Sequence, residues 1–210
     1  FIDGLIDLYM ATFDPKWLQE AENLAHDFIK FFWDEKEGGF HITPNDGEQL
    51  ISNPKELYDG AIPSGNSKGA LVFSRLAHIL QSNDYKNICE SIFSSFASQV
   101  NQFPGAYPVF LIAYDYNIGS KTEVVITGRS SDKAVRELLK KINSIFIPRC
   151  IIILSEPGNN GLKIKQLLPY ISGHKQINRK PTFYLCKNYT CSLPTNNMNE
   201  IISLFSTDSF

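Results

Sequence analysis

The chain has 210 residues, 43% hydrophobic and 12% aromatic, which supplies a core for one large domain or two small ones and excludes disordered and collagen-like classes. Twenty Lys and Arg against 22 Asp and Glu give a formal charge of −2, which argues against a dedicated nucleic-acid binder. No apolar run approaches the roughly 20 residues of a bilayer span and no basic-plus-apolar leader opens the chain, so a cytoplasmic protein without a membrane partner is expected.

The charge changes sign along the chain. Residues 1–119 hold 16 acidic and 7 basic side chains, net −9, whereas residues 120–210 hold 6 and 13, net +7. Such a shift marks a change of module and divides the chain into 1–119 and 120–210.

The first module reads as helices. Ile2, Leu5, Ile6, Tyr9 and Phe13 recur at helical spacing, and Asp14-Pro15 caps and opens a second helix. Leu18, Ala21, Ala25, Phe28 and Phe32 form its stripe, widened by Trp17, Leu24 and Phe31, so cover on more than one side is expected. A second pair follows, with Ala70, Phe73, Leu76, Ala77 and Leu80 on one helix, Ser82-Asn83-Asp84 as turn and cap, and Tyr85 to Val100 on the next. A shift of 68 residues superposes the pairs, matching Leu5 with Phe73, Trp17 with Tyr85 and Phe28 with Phe96. That repeat predicts stacked αα-hairpins or a toroid. A fifth helix is predicted over roughly 105–118, closed by Gly119.

Between the pairs, 34–63 is longer than an ordinary connection and is read as functional or partly hairpin-like. Phe40 and Ile42 alternate with polar residues ahead of Asn45-Asp46-Gly47, which predicts a short β-hairpin.

After Gly119 the pattern becomes strand, helix, strand, helix, strand, helix: 123–127, 131–146, 150–154, 161–171, 182–186 and 197–205. It predicts a small parallel sheet with right-handed crossovers. The fold class is therefore mainly α, with αα-hairpins of an incomplete toroid followed by a small parallel-sheet α/β unit. Phe1 opens directly in an amphipathic helix, and two hairpins cannot close a ring, so the chain reads as the C-terminal portion of something longer. Tyr9, Phe13, Phe28, Phe31 and Phe32 are expected to meet missing helices of a longer chain or a second copy.

Three stretches carry a resemblance: Phe32-Trp-Asp-Glu-Lys-Glu-Gly-Gly-Phe40, Pro54 through Tyr58-Asp-Gly-Ala-Ile-Pro-Ser-Gly-Asn-Ser67, and Pro181-Thr-Phe-Tyr-Leu-Cys186 through Cys191 and Pro194-Thr195. Together they resemble the C-terminal part of the thioredoxin domain-containing family that includes spermatogenesis-associated protein 20 and its bacterial relatives, over essentially the whole chain. The resemblance implies an N-terminal thioredoxin-like domain outside this chain. It also implies an (α/α)6 toroid of the six-hairpin glycosidase and sugar-epimerase type. No established catalytic residues come with it.

The site is therefore argued from the residues. Glycoside hydrolysis uses two carboxylates, and sugar epimerisation a proton-abstracting base, often His. Asp34 and Asp59 are the candidate catalytic carboxylates, with His41 beside them; the competing reading is that each Asp only caps a turn. Trp33, Phe40 and Tyr58 are candidate sugar platforms. Ser64 and Asn66 are candidate substrate-binding residues where 63–67 opens a helix; the competing reading is plain N-capping. Cysteines lie at 89, 150, 186 and 191 and are expected to be reduced. Cys186 and Cys191 are nevertheless a candidate redox pair, because a strand and a turn bring them within disulfide reach. Zinc would need two further ligands and His174 is the only histidine in the second module, so no metal and no cofactor is expected. The leading expectation is a carbohydrate-related toroid segment that is inactive alone. Its rival is a non-catalytic interaction module that partners a thioredoxin-like domain.

Overall fold

The computed structural model describes residues 1–48 and 51–206. It is mainly helical with a four-stranded mixed sheet. The chain divides into a helical unit, Phe1–Asp7 with Trp17–Gly119, and an α/β unit, Leu8–Lys16 with Ser120–Phe210. Among the described residues no helix is long and apolar enough to cross a membrane.

The helices are α1 (Ile2–Thr12), α2 (Pro15–Phe32), α3 (Gly65–Leu80), α4 (Asn83–Gln102) and α5 (Pro108–Ile118). The starts of α2 and α4, and the ends of α1 and α3, lie 68 residues apart, as the repeat predicts. In the helical unit α3 packs against α4 and α5. Its N-terminus is capped by Ser64, whose side chain accepts the Ser67 N–H, and Gln81 in the left-handed region (φ 50°) ends it. Asp3 on α1 pairs with Lys68 and Arg75 of α3, and Asp7 with Arg75. Phe28 of α2 stacks on Phe73 of α3, which meets Tyr85 of α4.

The second side of α2 is not covered as its sequence predicts. Phe28, Phe31 and Phe32 are only half-buried and Leu24 is 38% exposed. Tyr9 and Phe13 differ from them. Tyr9 is fully buried, and Phe13 packs against the core of the α/β unit, so neither belongs to an open face.

No β-hairpin forms at Phe40 among the described residues; positions 49 and 50 of the 34–63 loop lie outside them. A tight turn takes its place. Asp34 N–H donates to Gly39 O and Gly38 N–H to Asp34 O, leaving a single bridge between Trp33 and Phe40. The turn needs left-handed backbone at Gly38 (φ 71°) and Gly39 (φ 83°).

The α/β unit contains β1 (Thr122–Thr127), α6 (Lys133–Ile142), β2 (Cys150–Ser155), α7 (Asn159–Leu167), β3 (Thr182–Lys187), β4 (Thr190–Cys191) and α8 (Met198–Ser206). The order is β2-β1-β3-β4. β1 and β2 are parallel, but β3 runs antiparallel to β1, so the sheet is mixed and not parallel. After the single short helix α7, a 3-10 turn (Pro169–Gly173) and a reversal at Asn178-Arg179, both at positive φ, lead the chain into β3. α6 stops at Ile142, ahead of its predicted end at 146, and Phe146 lies 79% exposed. Val124, Ile126, Ile152, Leu154, Phe183 and Leu185 face one core with Val135 and Leu138 of α6. The strand period of two puts Glu123, Val125, Tyr184 and Cys186 on the opposite face.

Candidate functional site

In the helical unit the proposed site residues lie on the 34–63 loop or at its two ends, and most of them hold the loop itself. Asp34 Oδ1 accepts the N–H groups of Lys36 (3.0 Å) and Glu37 (3.2 Å), and Oδ2 accepts Lys55 Nζ at 2.8 Å. His41 Nε2 lies 3.6 Å from the same oxygen, while its Nδ1–H donates to Asn53 O at 2.7 Å. The Lys55 hydrogen bond, foremost, pulls the Asp34 carboxyl down to about 2, with the two backbone bonds adding to it. Asp34 is thus ionised at neutral pH and is unsuited to the proton-carrying member of a glycosidase pair.

Asp59 is buried and accepts three backbone hydrogen bonds. Oδ1 takes Ser64 N–H at 3.0 Å; Oδ2 takes Val109 N–H at 2.9 Å and Phe110 N–H at 3.3 Å. The last two are first-turn donors of α5, so Asp59 ties the loop to two helix starts. Its bonding set shares no residue with that of Asp34.

Asn66 is committed as fully. Oδ1 accepts Phe40 N–H at 2.6 Å, and Nδ2 donates to Phe40 O (2.9 Å) and Glu56 O (2.8 Å). The amide acts as a strand partner for Phe40, which explains why no hairpin is needed there. Phe40 is 2% exposed, stacked on Phe28 at 4.0 Å with Trp33 edge-on at 5.1 Å. Trp33 and Phe40 are therefore buried in the core, Phe40 also forming part of the wall of a small pocket, and Tyr58 alone of the three is exposed. Ser64 is an N-cap.

The open surface lies beside these residues. A groove of about 430 Å³ is lined by Leu24, Phe28, Phe31, Phe32, Gly69 and Val72, with the paired Asp3 and Lys68 at its side. It shares Phe28, Phe32 and Gly65 with a smaller pocket of about 240 Å³ that His41, Glu56 and Asn66 border.

The α/β unit holds a second polar cluster. Glu123 on the central strand is buried, and that burial raises its carboxyl to about 7 against the opposing hydrogen bond from Tyr170. Burial, reinforced by the Glu123 charge, pushes the Cys150 thiol up to about 12, and raises the Tyr170 and Tyr9 hydroxyls well above their ordinary range. The Cys150 thiol and the two tyrosine hydroxyls stay protonated at neutral pH, whereas Glu123 titrates there. Sequence reasoning passed over Glu123; the available signal was one carboxylate inside a run of buried β-formers.

Cys186 and Cys191 are joined by a disulfide, contrary to the expectation of reduced thiols. The reason is register: the two are direct partners across β3 and β4, on either side of the Asn188-Tyr189 turn, with both turn residues at positive φ. His174 joins them, with a ring nitrogen and both sulfurs all within 4.8 Å of one another. Cys89 and Cys150 are free thiols.

No protein-family model matches the chain. Spermatogenesis-associated protein 20 of Rattus norvegicus is 29% identical over 204 residues, which cover 97% of this chain and 26% of that protein. The Homo sapiens protein of the same name gives the same identity and coverage. An uncharacterized protein of Caenorhabditis elegans is 25% identical over 208 residues, covering 98% of this chain and 27% of its own. Along almost its whole length, then, this chain is homologous to spermatogenesis-associated protein 20, and it spans about a quarter of the length of the curated relatives it matches.

Proposed function

We propose that the chain is an assembly module of a longer cytoplasmic protein, its helical unit one arc of an (α/α)6-type toroid whose groove receives further helices of that protein. A thioredoxin-like domain of the same protein is the partner further along. The groove carries this reading: about 430 Å³ of space walled by Leu24, Phe28, Phe31, Phe32 and Val72, beside a charge pair already satisfied by itself. An apolar concavity of this kind favours a helix face over a polar substrate. The 68-residue recurrence of helix pairs supports an origin in a larger ring. In isolation the chain should bind a hydrophobic dye and self-associate in sedimentation, and Leu24→Glu should suppress both. A dilute monomer that binds no dye would overturn this reading.

One observation favours a second reading, a carbohydrate-related site. The pocket of about 240 Å³ is bordered by both His41 and Glu56, with Phe28, Phe32 and Phe40 along its wall, a base and a carboxylate beside aromatic walls. In that reading the proton carrier is His41, held through its Nδ1–H by Asn53 O and facing the Asp34 carboxylate with Nε2, because Asp59 is spent on backbone donors. Calorimetric titration with mono- and oligosaccharides should give binding that His41→Gln abolishes. Unchanged heats in the variant would remove His41 from any such site.

A further inference from the structure

Three donors of the α/β unit converge from separate parts of the chain onto one face of the sheet. Cys186 and Tyr184 are two residues apart on β3 and so point the same way. Cys191 is the direct antiparallel partner of Cys186, so its side chain projects to that face too. His174 closes the 3-10 turn Pro169–Gly173, its N–H donating to Ile171 O at 3.0 Å.

The imidazole is held in place. Its ring sits edge-on to Tyr184 at 4.3 Å, and the Tyr184 hydroxyl is tied to both backbone groups of Lys175, at 2.7 and 2.9 Å. His174 Nδ1 lies 3.2 Å from Ile171 O. A carbonyl only accepts, so Nδ1 carries the proton and the lone pair is on Nε2. Donation of one ring N–H to a backbone carbonyl is the usual outer-shell support of a metal-binding histidine.

We propose that, once the Cys186–Cys191 bond is reduced, the two thiolates and the His174 imidazole bind one divalent ion of the zinc type. Metal and disulfide are then mutually exclusive states of one site. Four residues separate the two cysteines, within the two-to-four spacing common for zinc-binding pairs. Sulfur and nitrogen ligands at about 2.0–2.3 Å from a tetrahedral ion lie roughly 3.5–3.8 Å apart, and a ring nitrogen of His174 and the two sulfurs already fall within 4.8 Å of one another. Cys186 is buried, His174 half-buried and Cys191 exposed, so the fourth position opens to solvent. A Cys2His set with one open position takes water or an external ligand there.

The interconversion balances. A dithiol gives two electrons and two protons to the disulfide, becoming a disulfide itself and leaving two protein thiols. The ion then forms two metal–sulfur bonds and releases the two thiol protons to solvent.

The test is a titration of the whole chain with Co²⁺, which reports thiolate ligation by charge-transfer absorption and tetrahedral geometry by its d–d bands. After reduction by a dithiol and its removal without air, one Co²⁺ should bind per chain and be displaced by Zn²⁺; the oxidised chain, with identical sequence, should bind none. Loss of outer-shell support alone costs 10–100-fold, so Cys191→Ser should weaken binding by more than about 100-fold and His174→Gln by at least about 10-fold. Cys150→Ser, which removes the other part-exposed thiol, should leave binding unchanged. The proposal is overturned if the reduced chain gives no stoichiometric tetrahedral spectrum, if the oxidised chain binds equally well, or if Cys191→Ser retains full affinity.

Discussion

Replacing Glu123 by Gln keeps the side-chain shape and an oxygen to accept the Tyr170 hydroxyl, and removes only the ionisation. Glu123 is 4% exposed on the central strand, and burial is the chief cause that lifts its carboxyl from 4.5 to about 7. The unfolded chain therefore loses this proton before the folded chain does. No penalty exists well below pH 4.5; it grows as pH rises and is complete above about pH 7. A gap of about 2.5 between the two values corresponds to about 3 kcal/mol. At pH 8 the Gln variant should be more stable than the parent by about that much, and near pH 4.5 the two should agree within about 0.5 kcal/mol. Trp17 and Trp33 both belong to the helical unit, so the assay chosen must read the sheet itself. Hydrogen-exchange mass spectrometry of peptides spanning β1 and β2 does, after correction for intrinsic rates. Protection of the variant should exceed that of the parent about 100-fold at pH 8 and match it near pH 4.5. Equal protection at both pH values, or a variant less protected at pH 8, would refute the argument that burial sets this carboxyl.

Asp59→Ala strands three backbone donors at the starts of α3 and α5, and should cost about 2–4 kcal/mol in urea melts followed by tryptophan fluorescence, with Asp59→Asn recovering part. Gly39→Ala should cost at least about 1 kcal/mol in the same melts, since φ is 83° and the new methyl would lie 2.9 Å from the Phe96 ring. Asp34, held at about 2 chiefly by Lys55, contributes stability present above pH 4 and lost as pH falls toward about 2. Lys55→Met should return its carboxyl toward the ordinary range, read by carbon-detected NMR titration, and an unmoved titration would assign the shift to the turn backbone alone.

The helices were legible in the sequence because their signals are local. A 3.6-residue apolar period, Asp14-Pro15 and Ser82 define α1 to α4 without reference to anything distant, and the 68-residue offset follows from them. β1 and β2 announce themselves in the same way, as short runs rich in β-branched residues, the first closed by Gly128.

Tertiary structure decided the rest. The direction of β3 depends on a turn at Asn178-Arg179 and on pairing with β1 some sixty positions earlier in the chain; neither is written in the strand's own residues. Asp59 looks like any turn aspartate until α5 brings Val109 and Phe110 to it from fifty residues away. Trp33 and Phe40 read in the sequence as sugar platforms, and only the packing of Phe28, Phe73 and Trp33 around Phe40 shows that both are buried. Cys186, Cys191 and His174 meet because strand register and a 3-10 turn coincide on one sheet face. Local propensity is paid for by neighbours along the chain, whereas register, strand direction and burial of a polar group are set by loop closure and long-range contacts, whose free energy no short window of sequence contains.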